Sequence, residues 1–303
     1  MPIIRPTTGP GAHDVLVLLR EAKLADVLGP RLLDRLGTDR LEASGVLATA
    51  HGLWVVFDNV PHLVRVDAEL PVPDPDATVV LHPSESLGFE DLALDAATGR
   101  FFTVIEAQER YPGVWMARVW EFDADVRPVR TRWLDLDLPS QNKGIEGISH
   151  LRRGGTEYLL ALTEGNHGAD GAVGRQVGAG RVHVFTPQDA DSWRHVATIE
   201  LPPSLAAVDY SGISVRDERI AVLSQCSGVL WTGYLSSDSW DIMDQGVTYR
   251  LPLDDRGRVV YGTAEGVSWL SANTVAIASD RAKREQPQRI RAKDQSLHVF
   301  RLP

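Results

Sequence analysis

The chain has 303 residues, of which 43% are hydrophobic and 24% charged, and its formal net charge is -10. This composition is typical of a soluble globular protein, and the negative charge argues against a surface for nucleic acid or an anionic membrane. The single cysteine, Cys226, excludes an intrachain disulfide, and the sequence has no stretch of about 18 apolar residues that would predict a membrane span.

The N-terminal segment lacks a basic stretch followed by a long apolar run, so no secretory signal is predicted and we expect a cytoplasmic protein. Residues 14–24, DVLVLLREAKL, are predicted to form a β-strand. A helix over 15–36 is the alternative, because this segment contains good helix formers. Gly29 and Pro30 interrupt such a helix, which favours the strand followed by a short helix at 31–36.

The rest of the chain contains five similar units. Each unit starts with Ser or Glu before Gly or Asp, continues as an alternating apolar run, turns, and ends a second apolar run at a polar residue. The starting residues, here called first anchors, are Ser44, Glu90, Glu146, Ser211 and Glu265. The residues that end the second run, here called second anchors, are Asp58, Glu106, Glu164, Gln225 and Asp280.

Third and fourth strands recur in the same order. Third strands are predicted at 62–67, 118–123, 181–186, 229–235 and 297–302, and fourth strands at 78–82, 131–138, 196–201 and 247–253. The fifth unit has no fourth strand of its own, and strand 14–24 supplies one. The sequence therefore predicts an all-β fold, a five-bladed β-propeller of four-stranded antiparallel blades whose last blade is closed by an N-terminal strand. The repeat units of this single domain are 41–83, 87–139, 143–203, 208–253, and 262–303 with 14–24.

Two insertions directly follow second anchors. Residues 165–180 are rich in glycine, and residues 281–296 are polar with four Arg and two Lys. Connections that leave one face of a propeller gather there, so both insertions are expected at one mouth of the channel. They are interpreted as a substrate lid or binding lip, with a solvated loop as the alternative.

Equivalent residues on the innermost strands of a propeller form a ring around the central channel. Carboxylates from Glu90, Glu146 and Glu265 would repel one another there unless they were protonated or neutralised. Asp58 and Asp280 are expected to extend the acidic ring. Oxygen ligands without cysteine or clustered histidine predict a divalent cation, above all Ca²⁺, with Mg²⁺ or Mn²⁺ as alternatives.

Hydrogen bonding to a neighbouring blade is the alternative role for a polar anchor, and it is favoured for Ser44 and Ser211. The candidates for proton transfer are Glu164, Glu106 and His167, of which His167 lies in the glycine-rich insertion.

Four residues beside the anchors are candidate substrate ligands. Lys143 and Arg281 are suited to an anionic group such as phosphate or carboxylate. Asn166 offers an amide oxygen, and Gln225 takes the fifth place among the second anchors. A nucleophilic role for Cys226 would require a paired base, and the sequence shows none.

The stretches LEASGVLATAHGLWVVFDN, NKGIEGISHL, LLALTEGN and DYSGISV resemble a loose group of bacterial propellers over residues about 40–280. This group includes the SdiA-regulated family and the phytase-like family with esterase-like activity. The resemblance implies an acidic channel that often holds calcium, with binding roles for Glu90, Glu146 and Glu265 and also for Asp58 and Glu164. Phosphate-ester chemistry is implied as well, but the basic residues that a highly phosphorylated substrate requires are dense only at 281–293.

The predicted function is a divalent-metal-dependent enzyme, a hydrolase or a lyase or isomerase, that acts on a small oxygen-rich or anionic substrate at the channel mouth. The alternative is a non-catalytic propeller that binds a ligand or a protein and contains a structural calcium ion. A third interpretation is a metal-free propeller that binds or cleaves sugars, in which paired carboxylates act as acid and base. The sequence gives no indication of the oligomeric state.

Overall fold

The computed structural model describes residues 14–81, 88–141, 143–169 and 171–303. The described part of the chain is mostly β-strand, with three short α-helical segments. These are α1 (Leu24–Leu36), α2 (Gly171–Gly174) and α3 (Gln288–Arg291). None of the helices in these ranges is long and apolar enough to cross a lipid bilayer.

The strands form five antiparallel meanders in chain order, preceded by β1 (Val17–Lys23). The first contains β2 (Ala43–Thr49), β3 (Gly52–Phe57), β4 (His62–Val66) and β5 (Thr78–Leu81). The second contains β6 (Phe89–Asp95), β7 (Arg100–Tyr111), β8 (Val114–Phe122) and β9 (Pro128–Asp135). The third contains β10 (Ile145–Arg153), β11 (Thr156–Thr163), β12 (Arg181–Pro187) and β13 (Ser192–Glu200). The fourth contains β14 (Gly212–Arg216), β15 (Arg219–Ser224), β16 (Val229–Tyr234) and β17 (Val247–Arg250). The fifth contains β18 (Ala264–Trp269), β19 (Thr274–Ser279) and β20 (Ser296–Arg301).

Strand β1 completes the fifth meander, since it pairs antiparallel with β20 in the order β1-β20-β19-β18. The prediction of a closing N-terminal strand is therefore confirmed. The second and third meanders do not form separate sheets. Residues 192–194 of β13 pair in parallel with residues 133–135 of β9, which joins these two meanders into one eight-stranded sheet. The prediction of five four-stranded antiparallel blades is corrected at this point, because the outer strands of two neighbouring meanders approach closely enough to share hydrogen bonds.

The first strands of the five meanders form a closed circle. Strand β2 contacts β6, β6 contacts β10, β10 contacts β14, β14 contacts β18, and β18 returns to β2. Serine hydroxyls accept backbone N–H groups across three of these junctions: Ser149 from Val215 at 2.9 Å, Ser214 from Trp269 at 3.1 Å, and Ser268 from Ala48 at 2.9 Å. At a fourth junction the buried Asp91 carboxylate accepts the N–H of Ile148 at 2.9 Å. This circle makes the mostly β structure propeller-like.

Helix α1 follows β1 directly and covers the first meander. Leu24, Val27 and Leu28 are buried, as expected for the apolar stripe of an amphipathic helix, and they pack in one core cluster with Val55 and Phe57. The helical alternative for this segment was thus right from residue 24 onwards, and the prediction of a strand was right for residues 17–23.

The helix is kinked where the sequence predicted an interruption. Gly29 takes the left-handed region at φ 67°, immediately before Pro30. A residue with a side chain would be strained at that φ, and a proline cannot donate to the helical hydrogen bonds. The predicted boundary of 31–36 corresponds to the second half of this kinked helix.

Polar contacts hold β1 against the C-terminal strand. His298 is fully buried, and its Nδ1 lies 3.1 Å from the Glu21 carboxylate, which also pairs with the ammonium group of Lys293. Lys23 pairs with Asp294 at 2.7 Å. The hydrogen bond from His298 is the main reason that the pKa of Glu21 falls to about 2, with the contacts to Lys293 acting in the same direction against the cost of burial. An ionised Glu21 therefore stabilises the closed arrangement.

We expect Glu21→Gln to lower the free energy of unfolding by about 1–2 kcal/mol, because a charge-assisted hydrogen bond and an ion pair are lost. The pKa of Glu21 is lower in the folded chain than its ordinary value of 4.5. Its contribution is therefore complete above pH 4.5 and is lost as the pH falls towards 2. Urea unfolding followed by circular dichroism should show a smaller difference from wild type at pH 3 than at pH 7. The exposed Glu285→Gln is the matched control, and equal losses in both variants would contradict this role of Glu21.

Candidate active site at the channel mouth

Four of the five first anchors lie in β-bulges. The strand register shifts between Ala43 and Gly45, between Phe89 and Asp91, between Ile145 and Gly147, and between Ala264 and Val267. A bulge changes the direction of the side chain at the extra residue. Ser44, Glu90, Glu146 and Glu265 therefore leave the regular alternation of their strands at equivalent positions of four meanders.

Glycines beside the anchors allow the first strands to approach one another closely. A Cβ atom on Gly212 would collide with the carbonyl oxygen of Glu265. A Cβ atom on Gly266 would lie 2.6 Å from the backbone nitrogen of Val46. Each Ser-Gly or Glu-Gly pair of the repeat therefore places a polar side chain at the channel beside a glycine. The glycine allows two neighbouring first strands to pack closely.

The three glutamates predicted as a ring interact electrostatically. Burial raises the pKa of Glu90, Glu146 and Glu265 well above the ordinary value, and neighbouring carboxylates raise it further. Glu265 acts on Glu90, Glu90 acts on Glu146, and Asp280 and then Glu146 act on Glu265. Gln225, a predicted substrate ligand, donates from Nε2 to Glu265 Oε1 at 3.0 Å. The structure thus brings these anchors into one acidic environment.

The closest grouping of carboxylates combines one first anchor with two second anchors. Oxygens of Glu106, Glu146 and Glu164 all lie within 4.8 Å of one another. The N–H of Gly144 donates to Glu106 Oε1 at 3.0 Å, and the Glu106 and Glu146 side chains share a hydrogen bond. The Lys143 ammonium pairs with Glu164. Two residues predicted for proton transfer and one predicted metal ligand therefore form the tightest part of the mouth.

The other predicted metal ligands lie near Glu42. Burial raises the pKa of Asp280 to about 7, with Glu42 and Asp58 acting in the same direction against the hydrogen bond from the Arg281 N–H. The pKa of Asp58 is also raised, first by loss of hydration and then by Glu42. Glu42 pairs with Arg40 at 2.7 Å and with Arg281 at 3.8 Å. Arg281 thus neutralises part of the acidic mouth, and its predicted role in binding substrate stays a prediction.

Asn166 and His167 have different environments although they are adjacent. Asn166 is fully buried, and its Nδ2 donates to the carbonyl oxygens of Gly174 and Ala207 at 3.2 and 3.1 Å. Its Oδ1 accepts the N–H of Ala179 and the hydroxyl of Tyr210 at 2.9 and 2.8 Å. The hydrogen-bonding capacity predicted to serve a substrate is thus used within the protein.

His167 is exposed and has a positive φ of 58°. Its backbone N–H donates to Ala179 at 2.7 Å, which fixes the position of this residue in the loop. Its predicted catalytic role stays a prediction.

A layer of apolar side chains lies next to the anchors. Two residues after each anchor, the five first strands bury an apolar residue: Val46, Leu92, Ile148, Ile213 and Val267. Further along the same strands these residues and their neighbours line a cavity of ≈470 Å³. The acidic mouth is therefore followed, along the channel, by a layer of aliphatic side chains.

A second group of possible metal ligands, Asp95, His150 and Glu157, lies near the far end of the first strands. Arg152 binds both carboxylate oxygens of Asp95 at 3.0 and 2.6 Å, and Arg100 pairs with Glu157. These guanidinium groups already supply the positive charge, so this group fits an ion-pair network better than a metal site.

The sequence interpretation missed the serines that join the first strands. They occur in the repeated triplets Gly-Ile-Ser at 147–149 and 212–214 and Gly-Val-Ser at 266–268. This recurrence was the signal that could have identified them. Glu42, two residues before the first anchor Ser44, was also missed, although Asp209 takes the same place before Ser211.

Comparisons with known proteins identify relatives only at the level of fold. No family model matches the sequence, and no curated protein matches it either. Among solved structures, glutaminyl cyclase from Myxococcus xanthus is 8% identical with a TM-score of 0.54, covering 95% of this chain and 96% of that one. The PQQ-bound aldose sugar dehydrogenase from Streptomyces coelicolor is 13% identical with a TM-score of 0.53, covering 97% of this chain and 99% of that one. The fold is propeller-like. The resemblance to the SdiA-regulated and phytase-like families stays a prediction.

We expect the raised pKa of Asp280 to make the cation-free protein less stable as the pH rises. The carboxyl group has an ordinary pKa of 3.8 and a pKa of about 7 in the folded chain. Its contribution to stability is therefore complete below pH 3.8 and is lost as the pH rises through 7. In buffers with EDTA, the melting temperature of wild type should fall more steeply between pH 4 and 7 than that of Asp280→Asn. The exposed Asp255→Asn serves as control, and parallel profiles for wild type and Asp280→Asn would refute the assignment.

Proposed function

We propose that the chain is a five-bladed propeller enzyme that binds a divalent cation at its acidic channel mouth and acts there on a small oxygen-rich or anionic substrate. The observation that carries this proposal is the group of Glu106, Glu146 and Glu164, whose carboxylate oxygens lie within 4.8 Å of one another. The surrounding Glu90 and Glu265 add to the negative potential.

The residues present fit a hard divalent cation. Carboxylate oxygens are the ligands that Ca²⁺, Mg²⁺ and Mn²⁺ prefer. The carboxyl groups of Glu106, Glu146 and Glu164, with Glu90 and Glu265 beside them, outnumber the single Lys143 ammonium, so a divalent cation would offset their mutual repulsion. Burial raises the pKa of Glu106 and of Glu146, so keeping both ionised without a cation is costly. Ca²⁺ is the proposed ion, with Mg²⁺ and Mn²⁺ as alternatives.

The chemistry follows from the placement of the side chains. When bound, the cation would polarise a carbonyl or phosphoryl oxygen or activate water. Glu106 and Glu146 would hold it, with Glu90 and Glu265 beside them. Glu164 also lines an adjacent cavity and is held by Lys143, so its carboxylate oxygen is placed to take or return a proton of the substrate. Hydrolysis and a lyase or isomerase reaction both use these elements.

We expect Glu146→Gln to weaken the binding of Ca²⁺ and Mn²⁺ by at least about tenfold, because a charged ligand becomes a neutral amide of the same shape. Isothermal titration calorimetry at pH 7.5 measures this directly. Glu69→Gln, at an exposed position outside both insertions, should bind as wild type does. Equal affinities in the two variants would remove Glu146 from the site.

We also expect the protein to turn over a member of a phosphoester, ester and lactone panel, and to lose this activity with EDTA and in Glu146→Gln. The melting temperature of Glu146→Gln measured without cation should not fall, because the substitution removes a buried carboxylate. A fall in melting temperature with EDTA and no turnover by wild type would instead favour a structural ion in a binding protein.

A further inference from the structure

A cavity of ≈350 Å³ opens beside the acidic mouth, between the third and fourth meanders. Glu164 belongs both to the carboxylate group and to the wall of this cavity. Lys143, Arg175, Asp209 and Cys226 contribute the other polar side chains of the wall. A volume of this size holds about a dozen water-sized groups, since one water occupies about 30 Å³ in the liquid. The cavity therefore suits a small molecule that also reaches the mouth.

The wall formed by the glycine-rich loop is fixed. Asn166 makes its four hydrogen bonds across the base of the loop, to Gly174, Ala179, Ala207 and Tyr210. Gly165 and Gly174 both pack on the carbonyl oxygen of Ala169, where a Cβ atom on either glycine would collide with it. These described residues of the loop therefore form a preformed wall, as is usual for small-molecule sites.

One cation of the wall has no ion-pair partner among the described residues. Lys143 pairs with Glu164, and the Asp209 carboxylate accepts the Ser224 hydroxyl at 2.5 Å and the N–H of Cys226 at 3.0 Å. Arg175 is exposed and takes part in none of the ion pairs found among the described ranges of the chain. Its guanidinium group is thus the cation of this wall that is not matched by an acid.

Cys226 adds no negative charge to the cavity. Burial, followed by the neighbouring Asp209, raises the pKa of its thiol to about 12. The thiol is therefore neutral at physiological pH, which argues against its action as a nucleophile or metal ligand. It is nevertheless exposed and is the only cysteine of the sequence, so it can report occupancy of the cavity.

We propose that this cavity binds the substrate and that the substrate is a small acid of about a dozen non-hydrogen atoms, whose carboxylate or phosphate group pairs with Arg175 while another oxygen reaches Glu164 and the mouth. This inference rests on the proposed function, because it takes the carboxylate group at the mouth as the reacting centre. Arg175 is suited to this task, since a guanidinium group binds either oxyanion through two parallel hydrogen bonds.

The experiment uses malate and glycerol phosphate as probes with saturating Ca²⁺. Calorimetry compares wild type with Arg175→Gln and with Arg31→Gln, an exposed arginine on α1 outside the cavity. In parallel, the rate at which a maleimide labels Cys226 is measured with and without each probe at pH 9, where a larger fraction of the thiol is ionised than at neutral pH. The two probes distinguish a carboxylate ligand from a phosphate ligand.

We expect at least one probe to bind wild type and to slow the labelling of Cys226, with at least tenfold weaker binding in Arg175→Gln and none of this loss in Arg31→Gln. The affinity of Arg175→Gln for Ca²⁺ should stay within about twofold of wild type. Absence of anion binding, or binding that neither depends on Arg175 nor protects Cys226, would overturn the inference while Ca²⁺ binding still supports the proposed function. If Ca²⁺ fails to bind wild type, the proposed function fails, whereas Arg175-dependent protection of Cys226 without cation would still support the anion site.

Discussion

The repulsion among carboxylates on a narrow circle of strands is the constraint on which the site depends. Glu90, Glu146 and Glu265 come from three meanders, and the closed contacts of the first strands bring them to one mouth. Loss of hydration and like-charge repulsion both disfavour their ionised forms. The fold maintains this arrangement through glycines that permit close approach and through hydrogen bonds that join neighbouring first strands. The acidic mouth is thus stabilised by backbone geometry and not by the charges themselves.

The protein balances its charges unequally along the channel. Arg152 donates to the carboxylate of Asp95, and Arg100 pairs with that of Glu157. These charge-assisted contacts offset the cost of burying the two acids. At the mouth, by contrast, Lys143 meets one member of the carboxylate group and Gln225 offers Glu265 only a neutral amide. The unbalanced end is where a cation would lower the free energy most, and a cavity lined by Glu164 lies next to it.

The chain segment that follows Glu164 connects the carboxylate group to the wall of the adjacent cavity. Asn166 follows Glu164 after one glycine and is buried beneath the loop. Its hydrogen bond to Gly174 holds the cavity wall close to the carboxylate group. The proposed substrate would reach Glu164 from this cavity, and a preorganised wall is what catalysis and tight binding both require.

The sequence by itself determined the five units, their strand order and the closing N-terminal strand, because alternation of apolar residues and turn residues are local properties of the chain. It also placed the acidic anchors at equivalent positions. Only the tertiary structure decided that β9 pairs with β13 and that α1 begins at Leu24. It also decided that Glu146 forms its close carboxylate group with Glu106 and Glu164, and not with the other first anchors of the predicted ring. The turn of a side chain at a bulge and the partners of a buried amide such as Asn166 depend on segments distant in sequence, and a local pattern does not encode them.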